Sequence, residues 1–342
     1  MRWECDICGY IHIDVGMMEE GMQHALGKIS PPDIIVCPTA CNTFIKWSEI
    51  WAERFDAPIF LLDQPLRIHD IDNYWGSEAF FNDRRYVLSQ IEDLIVALEK
   101  LTGRKFDPDK LAECEEKWNR VTDLWAEIRA FNRRVPAVWD AHKDALYYMG
   151  AGIPFRGTDI PVAYFEAVKQ ELQERADLGL CPATREKFRL GVHLSPCWSQ
   201  LKPFIELFEK RNAVVVWSTY SDLVSNQGQG YDPSRPVESL AESFLLCNIP
   251  GNAYRGFDRF AQMLNAYNEF KLDGIVLHTI KSCRLASTSM ADYRNQFQKL
   301  GIPTVIIESD LVDSRYYSQA QMRNRVDAFL ESLEHKKLTR GG

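Results

Sequence analysis

Five cysteines of the sequence stand where a thiolate could bind metal. Cys5 and Cys8 form a Cys-x-x-Cys pair near the start of the chain, a spacing shared by zinc knuckles, redox dithiols and iron–sulfur sites. Cys37 and Cys41 form a second group, and Cys283 stands far from both. The residue types therefore predict a metal or redox centre and leave its kind open.

The elements around these cysteines favour thiolate chemistry. Cys37 and Cys41 lie between a predicted strand at 34–36 and a predicted helix, and Cys283 lies between a strand at 274–278 and its helix. A helix N-terminus stabilises a thiolate over a thiol, which is the form that binds metal. Sites in parallel sheets also gather at the carboxyl ends of the strands. Both parts of the chain thus place cysteine where a metal ligand is expected.

Three other interpretations of the cysteines stay open at this point. A Cys₄ zinc site could use Cys5, Cys8, Cys37 and Cys41, but it would leave Cys283 unexplained. A thioredoxin-like dithiol is disfavoured because the first pair does not open a helix after a strand. All nine cysteines could instead pack in the core as small apolar residues. Four have no partner cysteine and are interpreted as packing residues: Cys114, Cys181, Cys197 and Cys247.

The periodicity of the chain predicts the elements that hold these residues. Residues 32–65 read as strand, helix and strand, which is a βαβ unit. From about 84 to 176 the pattern is helical, with an apolar stripe interpreted as core. After Arg189 strands and helices alternate regularly. The stripe consists of Leu111, Cys114, Trp118, Val121, Trp125 and Ile128.

This alternation predicts an α/β fold of two Rossmann-like lobes with parallel sheets, joined by a helical segment. The expected domains are a first α/β lobe at 1–83 with cluster cysteines, a helical segment at 84–187, and a second α/β lobe at 188–342. Neither an internal repeat nor a low-complexity tract is visible in the sequence.

Composition limits the classes of partner. The chain has 342 residues, a net charge of −8 and a pI near 5.5, so no basic surface is expected to bind nucleic acid. The N-terminus lacks the pattern of a secretory signal, and no apolar run reaches the ~20 residues of a membrane span. A cytoplasmic protein without a membrane partner is expected. In that reducing compartment the cysteines should not form disulfides.

Several segments together resemble the 2-hydroxyacyl-CoA dehydratase and benzoyl-CoA reductase family. They are "ICGYIHIDVG", "CNTFIKWSEIWAERFDAPIFLLDQP", "DGIVLHTIKSCR" and "GIPTVIIESDLVDSRYYSQAQMRNRVDAFLESLE". Cys41 stands 33 residues after Cys8, as in the family pattern. The resemblance covers most of the chain.

The resemblance implies a [4Fe–4S] cluster held by Cys8, Cys41 and Cys283, with Cys5 and Cys37 as possible additional ligands. Three thiolates on four irons leave one iron without a protein ligand, where water or a substrate oxygen can bind. Family members pass single electrons into an acyl-CoA thioester, giving ketyl-type radicals that lose a hydroxyl or begin the reduction of an aromatic ring. The implied partners are a homologous companion subunit, a separate ATPase activator or reductase, and an acyl-CoA substrate.

Two observations bear on how such a subunit would work. The sequence contains neither G-x-x-x-x-G-K-[ST] nor G-x-G-x-x-G, so ATP is expected to be hydrolysed on another protein. Family members usually carry a helical segment ahead of the first ligand cysteine, whereas seven residues precede Cys8 here. Part of the substrate pocket is therefore expected to be missing or supplied by another chain.

Side chains near the cysteines provide further candidates. Tyr10, Ser282 and His278 are the candidate catalytic residues, for hydrogen bonding to the cluster or substrate and for moving protons. Glu308, Asp310 and Asp313 follow the last strand and are interpreted as caps and ion-pair partners. Trp47, Trp51 and Trp198 could face an aromatic acyl group, but they are interpreted as packing residues.

The sequence thus predicts the [4Fe–4S] subunit of an ATP-dependent, low-potential CoA-thioester reductase. The benzoyl-CoA (aromatic-ring) reductase type is preferred on the stretches "CRLAST" and "SPCW". The alternatives are a 2-hydroxyacyl-CoA dehydratase subunit acting through a ketyl radical, and a non-catalytic iron–sulfur electron-transfer or structural paralogue.

Overall fold

The computed structural model of the chain describes residues 7–21, 23–24, 27–28, 30–65, 74, 76–224, 230–246 and 259–340. The strands are β1 (Gln23–His24), β2 (Gly27–Lys28), β3 (Ile35–Pro38), β4 (Ile59–Leu62), β5 (Phe188–His193), β6 (Ala213–Ser218), β7 (Gly274–Ile280) and β8 (Thr304–Ser309). The helices are α1 (Gly9–Glu19), α2 (Asn42–Phe55), α3 (Glu78–Thr102), α4 (Pro108–Ala130), α5 (Ala145–Gly152), α6 (Asp159–Asp177), α7 (Leu201–Glu209), α8 (Pro236–Leu246), α9 (Arg259–Glu269), α10 (Arg284–Ser287), α11 (Met290–Lys299) and α12 (Gln319–Arg340).

The chain divides into two compact units, each built from two separate stretches. The first unit comprises residues 1–119 and 228–258, and the second comprises residues 120–227 and 259–342. Mixed helices and parallel sheets confirm the predicted α/β class. The three-part division at residues 83 and 187 stays a prediction.

The first unit contains the predicted βαβ unit. Strands β3 and β4 pair in parallel, with a register from Ile35 opposite Ile59 to Pro38 opposite Leu62, and α2 connects them. The short strands β1 and β2 form an antiparallel pair. The β-branched and apolar residues of "DIIVCP" and "APIFLL" explain the two parallel strands, and Asp56 ends α2 in the left-handed conformation.

Two long helical segments of the first unit pack through a small apolar core. Helix α3 begins at the cap of Ser77, whose hydroxyl accepts the Phe80 amide at 3.2 Å, and it packs on α8. Arg84 and Arg235 both bind Glu242 of α8 at 2.8 Å. The buried core residues at this contact are Tyr74, Phe80, Val87, Ile91, Ala241 and Leu245.

The second unit is built on a four-stranded parallel sheet in the order β6-β5-β7-β8. Every residue of β5 and β6 is buried, as expected for parallel strands covered on both faces. Gly274 begins β7 against α12, where an added Cβ would lie 2.6 Å from the ring of Phe329. The four predicted strands of this region are thereby confirmed.

Helices occupy most of residues 78–177, as the sequence pattern predicted. Within α4, the stripe residues Trp118, Val121, Trp125 and Ile128 are buried, which confirms their interpretation as core. The placement of Cys114 on this buried face was wrong, because its side chain is exposed. Its neighbour on the helix, Glu115, is buried instead.

A search of the described helices for a segment long and apolar enough to cross a bilayer finds none.

Candidate functional site

The three cysteines at predicted ligand positions share one local geometry. Cys8, Cys41 and Cys283 are the N-cap residues of α1, α2 and α10, respectively. None of the three side chains makes a capping hydrogen bond, and all three are partly exposed. At α1 and α2 the N-terminal amides belong to helices of several turns, whereas α10 is a single turn. The fold therefore gives none of these thiols a capping role, although each stands at a helix start.

A buried carboxylate joins the first two of these helices. Asp14 of α1 is buried, and its Oδ2 accepts the indole N–H of Trp47 at 2.5 Å and that of Trp51. Asp14 lies six residues after Cys8, and Trp47 lies six residues after Cys41, which is about 9 Å along each helix. The sequence analysis missed this contact because it joins residues 33 positions apart. Along the sequence, this contact is indicated only by two tryptophans that stand one helical turn apart.

The remaining cysteines differ in exposure. Cys37 is buried on β3, and its thiol lies 3.7 Å from the carbonyl oxygen of Pro38. Cys197 is buried, and Cys181 packs half-buried against the core of the second unit, in agreement with their interpretation as packing residues. None of the seven described cysteines forms a disulfide. Cys5 and Cys247 lie outside the described residues.

Asp310 fixes the backbone that leads to Cys283. This carboxylate is almost fully buried, and its Oδ2 accepts the amide of Ser282 at 2.8 Å. Its Oδ1 accepts the amides of Val312 and Asp313 at 3.0 Å each. One side chain therefore ties the loop after β7 to the loop after β8, and it confirms the interpretation of Asp310 as a capping residue.

The other two acidic residues of this region also serve the roles predicted for them. Glu308 forms an ion pair with Lys281 at 3.0 Å. Asp313 caps a short 3₁₀ turn by accepting the amide of Arg315 at 3.0 Å. These observations account for both carboxylates by local structure.

His278 is fully buried in the second unit, and both of its ring nitrogens are hydrogen-bonded. Nδ1 lies 2.7 Å from the carbonyl oxygen of Ser195, which can only accept, so Nδ1 carries the proton. Nε2 then accepts from the Ser309 hydroxyl at 2.7 Å. Burial lowers the pKa of His278 to about 4, so the ring is neutral at neutral pH.

The other two candidate catalytic residues lie beside the proposed ligands along the chain. Ser282 is buried immediately before Cys283. Tyr10 is in the first turn of α1, two residues after Cys8, and is partly exposed. Trp198 stacks edge-on with Tyr220, with ring centroids 5.4 Å apart.

The donor set can be compared with the needs of a metal group. Thiolates are the ligands of iron–sulfur clusters and of many zinc sites. Among the residues that the structure describes, no set of three or more His, Cys, Asp and Glu side chains is gathered to hold a metal ion. Cys8 and Cys41 belong to the first unit and Cys283 to the second. The chemistry of the three donors suits a thiolate-bound group.

A cavity of about 300 Å³ lies in the first unit, beside the start of α2. The side chains of Trp47 and Trp51 line the cavity. Trp51 also packs against Phe55, with the two ring centroids 5.1 Å apart. Their interpretation as packing residues alone was therefore incomplete. The full lining consists of Ile35, Val36, Cys37, Pro38, Phe44, Trp47, Ser48 and Trp51.

Comparison with known proteins gives a consistent result across the chain. A family profile described as "2-hydroxyglutaryl-CoA dehydratase, D-component" matches residues 4–333. A benzoyl-CoA reductase subunit of Thauera aromatica is 33% identical over 97% of this chain and 78% of that protein. The (R)-phenyllactyl-CoA dehydratase alpha subunit of Clostridium sporogenes is 25% identical over 98% of this chain and 79% of that protein. The beta subunit of the same dehydratase is 21% identical over 73% of this chain and 64% of that protein.

Proposed function

Because the chain belongs to the 2-hydroxyglutaryl-CoA dehydratase D-component family of enzyme subunits, we propose that it is the [4Fe–4S] subunit of an ATP-dependent, low-potential CoA-thioester reductase. The benzoyl-CoA reductase type is the preferred reaction. The observation that supports this choice is the 33% identity to the benzoyl-CoA reductase subunit of Thauera aromatica over nearly the whole chain, against 25% for the dehydratase alpha subunit of Clostridium sporogenes.

In this proposal Cys8, Cys41 and Cys283 bind the cluster, with Cys5 and Cys37 as possible further ligands. Their common N-cap position supports the assignment. A bound cluster would supply low-potential single electrons. The chain itself supplies the thiolates and holds their backbones in place.

Residues around the ligands hold and orient them. Asp310 fixes the amide of Ser282, and thereby the approach to Cys283. Neutral His278 donates a hydrogen bond from Nδ1 to the Ser195 carbonyl oxygen and accepts one at Nε2 from the Ser309 hydroxyl, and these two bonds connect the ends of the neighbouring strands. We propose Ser282 and Tyr10 as hydrogen-bond donors towards the cluster or the substrate, because each stands within two residues of a proposed ligand in the sequence.

Partners follow from the proposed reaction. The relatives include alpha and beta subunits of one dehydratase, which supports a homologous companion subunit for this chain. The absence of a phosphate-cradling sequence motif supports a separate ATPase activator. The substrate is an acyl-CoA thioester.

A second candidate function is a 2-hydroxyacyl-CoA dehydratase subunit acting through a ketyl radical. The family profile carries a dehydratase description, and the alpha subunit of the phenyllactyl-CoA enzyme aligns over 98% of this chain. A non-catalytic electron-transfer or structural paralogue would bind the cluster without binding any acyl-CoA. Activity with benzoyl-CoA or with a 2-hydroxyacyl-CoA, in the presence of both partners, separates these functions.

The first prediction concerns the cluster. Protein purified without oxygen should contain about four iron and four sulfide per chain, both lost in air. Cys8→Ala, Cys41→Ala and Cys283→Ala should each lower the iron content severely, because each removes one thiolate. Iron and sulfide analysis with the visible absorption spectrum measures this.

The control is Cys114→Ala, because Cys114 is exposed on α4. It should retain the iron content of the unmodified chain. Stoichiometric zinc without sulfide, or equal iron in all four variants, would reject the proposed ligand set.

A further inference from the structure

The cavity beside α2 is lined mainly by apolar surface. Phe44, Trp47 and Trp51 repeat at helical spacing on one face of α2. In this helix of 14 residues, Ser48 is the residue that is buried. The three aromatic rings are only partly buried because they border the cavity of about 300 Å³. The lining also includes the residues of β3, among them Val36, whose side chain is exposed.

The polar atoms of these lining side chains are already engaged. Both indole N–H groups donate to Asp14, and the Ser48 hydroxyl donates to the carbonyl oxygen of Ile45 at 2.8 Å. Among the described residues, the lining includes no charged side chain. The cavity is open to solvent, so a ligand group in it would meet ring faces and methyl groups, and an ionised group would find no charged partner among the described lining residues.

The size of the cavity suits a ring-sized group. Ligand cavities in proteins begin at roughly 300 Å³, and an apolar cavity of roughly 150 Å³ is enough to bind benzene. An added β-strand fits less well, because β3 has four residues and Pro38 lacks the amide that a pairing strand needs. A small apolar group is the occupant that volume and lining both favour.

The position of the cavity connects it to the proposed site. Phe44 is in the first turn of α2, and its amide donates to the carbonyl oxygen of Cys41 at 2.9 Å. Cys37, one of the possible further ligands, forms part of the wall. The cavity therefore lies next to a proposed cluster cysteine within one unit.

We propose that this cavity is the acyl site and that it accepts an uncharged, apolar acyl group of ring size. Val36, Trp47 and Trp51 are then the specificity-determining side chains. The inference rests on the proposed function for the identity of the ligand as an acyl-CoA. It disfavours acyl groups that end in a carboxylate, such as glutaryl, relative to an uncharged group such as benzoyl.

The test is direct binding to the full chain without iron. Isothermal titration would compare benzoyl-CoA, glutaryl-CoA and CoA. We expect one site for benzoyl-CoA and at least tenfold weaker binding of the other two. Val36→Phe should fill the cavity and weaken benzoyl-CoA binding at least tenfold, whereas Leu61→Phe, on an exposed residue of β4 outside the lining, should change it less than twofold.

Circular dichroism and thermal unfolding of both variants test whether each keeps the fold of the unmodified chain. Equal affinity for benzoyl-CoA and glutaryl-CoA, or equal binding by Val36→Phe and the unmodified chain, would overturn the inference. If Val36→Phe changes the oligomeric state but not ligand binding, the cavity is a contact surface between two copies of the chain. That result would also overturn the inference. Because the chain contains no iron in this test, selective binding here combined with failure to assemble a cluster would reject the proposed function alone.

Discussion

At the scale of single residues, one carboxyl group is buried where its charged form is unfavourable. Glu115 of α4 is buried, and among the described residues neither carboxyl oxygen has a hydrogen-bond partner. Burial, and secondarily the charge of Asp232, raise the pKa of Glu115 from 4.5 to about 7. The folded protein therefore binds a proton here that the unfolded chain releases between about pH 4.5 and pH 7.

The second prediction follows from that proton. The free energy of unfolding should fall as pH rises through this window, because the folded state must then bury a charge. Glu115→Gln removes the titration, so the variant should gain about 2 kcal/mol relative to the unmodified chain between pH 5 and pH 8. Urea unfolding at the two pH values measures the difference, and Glu116→Gln at the exposed neighbouring position is the control. A pH-independent effect of Glu115→Gln would contradict the assignment.

At the scale of elements, the carboxyl ends of the strands in the second unit are joined by polar side chains. His193 ends β5 and lies 3.0 Å from the Thr219 hydroxyl that follows β6. His278 of β7 contacts Ser309, the last residue of β8. Asp310 then connects the loops after β7 and β8. This edge of the sheet is therefore fixed by side chains as well as by strand pairing.

The third prediction is that Asp310 positions the loop that carries Cys283. Asp310→Ala leaves three backbone amides without their acceptor, so the free energy of unfolding should drop by about 3 kcal/mol. Iron retention by the anaerobic protein should also fall, although no ligand is removed. Chemical denaturation and iron analysis measure the two effects.

The matched control is Glu308→Ala, which removes a half-exposed ion pair on the preceding strand. This substitution should lower the free energy of unfolding by less than about 1 kcal/mol and leave the iron content unchanged. Equal stability and iron content in the two variants would show that Asp310 does not position the loop.

At the scale of the whole molecule, each compact unit has its own core and its own titration behaviour. The second unit buries three neutral histidines, His142, His193 and His278. Burial lowers their pKa values from 6.5 to about 3, 3 and 4, respectively. Three aspartates of this unit are shifted in the opposite sense, since burial raises the pKa of Asp140 to about 6 and also raises the pKa values of Asp144 and Asp222.

The fourth prediction is acid lability of the second unit. Below pH 6.5 the unfolded chain protonates these histidines while the folded state keeps them neutral, so stability is lost as pH falls. Each buried histidine should contribute a loss of about 1.6 kcal/mol in the free energy of unfolding between pH 6.5 and pH 5, and the raised pKa values of the three aspartates oppose this loss. Hydrogen exchange of the amides in β5 to β8 measures it within this unit.

His193→Gln should remove about 1.6 kcal/mol of that pH dependence, which is the contribution of one buried histidine. His335→Gln, at an exposed position of α12, should leave it unchanged. Constant protection of the sheet amides from pH 6.5 to pH 5 would contradict this account.

The sequence by itself determined the parts of the protein that depend on local patterns. Apolar runs such as "AVVVWS" predicted the buried parallel strands, and the alternation after residue 189 predicted the α/β class. The positions of Cys41 and Cys283 between a strand and a helix predicted their place at helix starts, because capping depends only on adjacent residues. Family membership was also readable from the sequence, since it rests on residue order.

Only the tertiary structure decided which side chains meet. The sequence pattern placed Cys114 on the buried face of α4, but positions 114 and 115 flank that face about 100° apart, and packing turned Glu115 inward. Likewise, the sequence shows that α2 carries an aromatic stripe, whereas the contact with Asp14 and the cavity against β3 join residues distant along the chain. Periodicity fixes the faces of an element, and long-range packing selects which face is covered and by what.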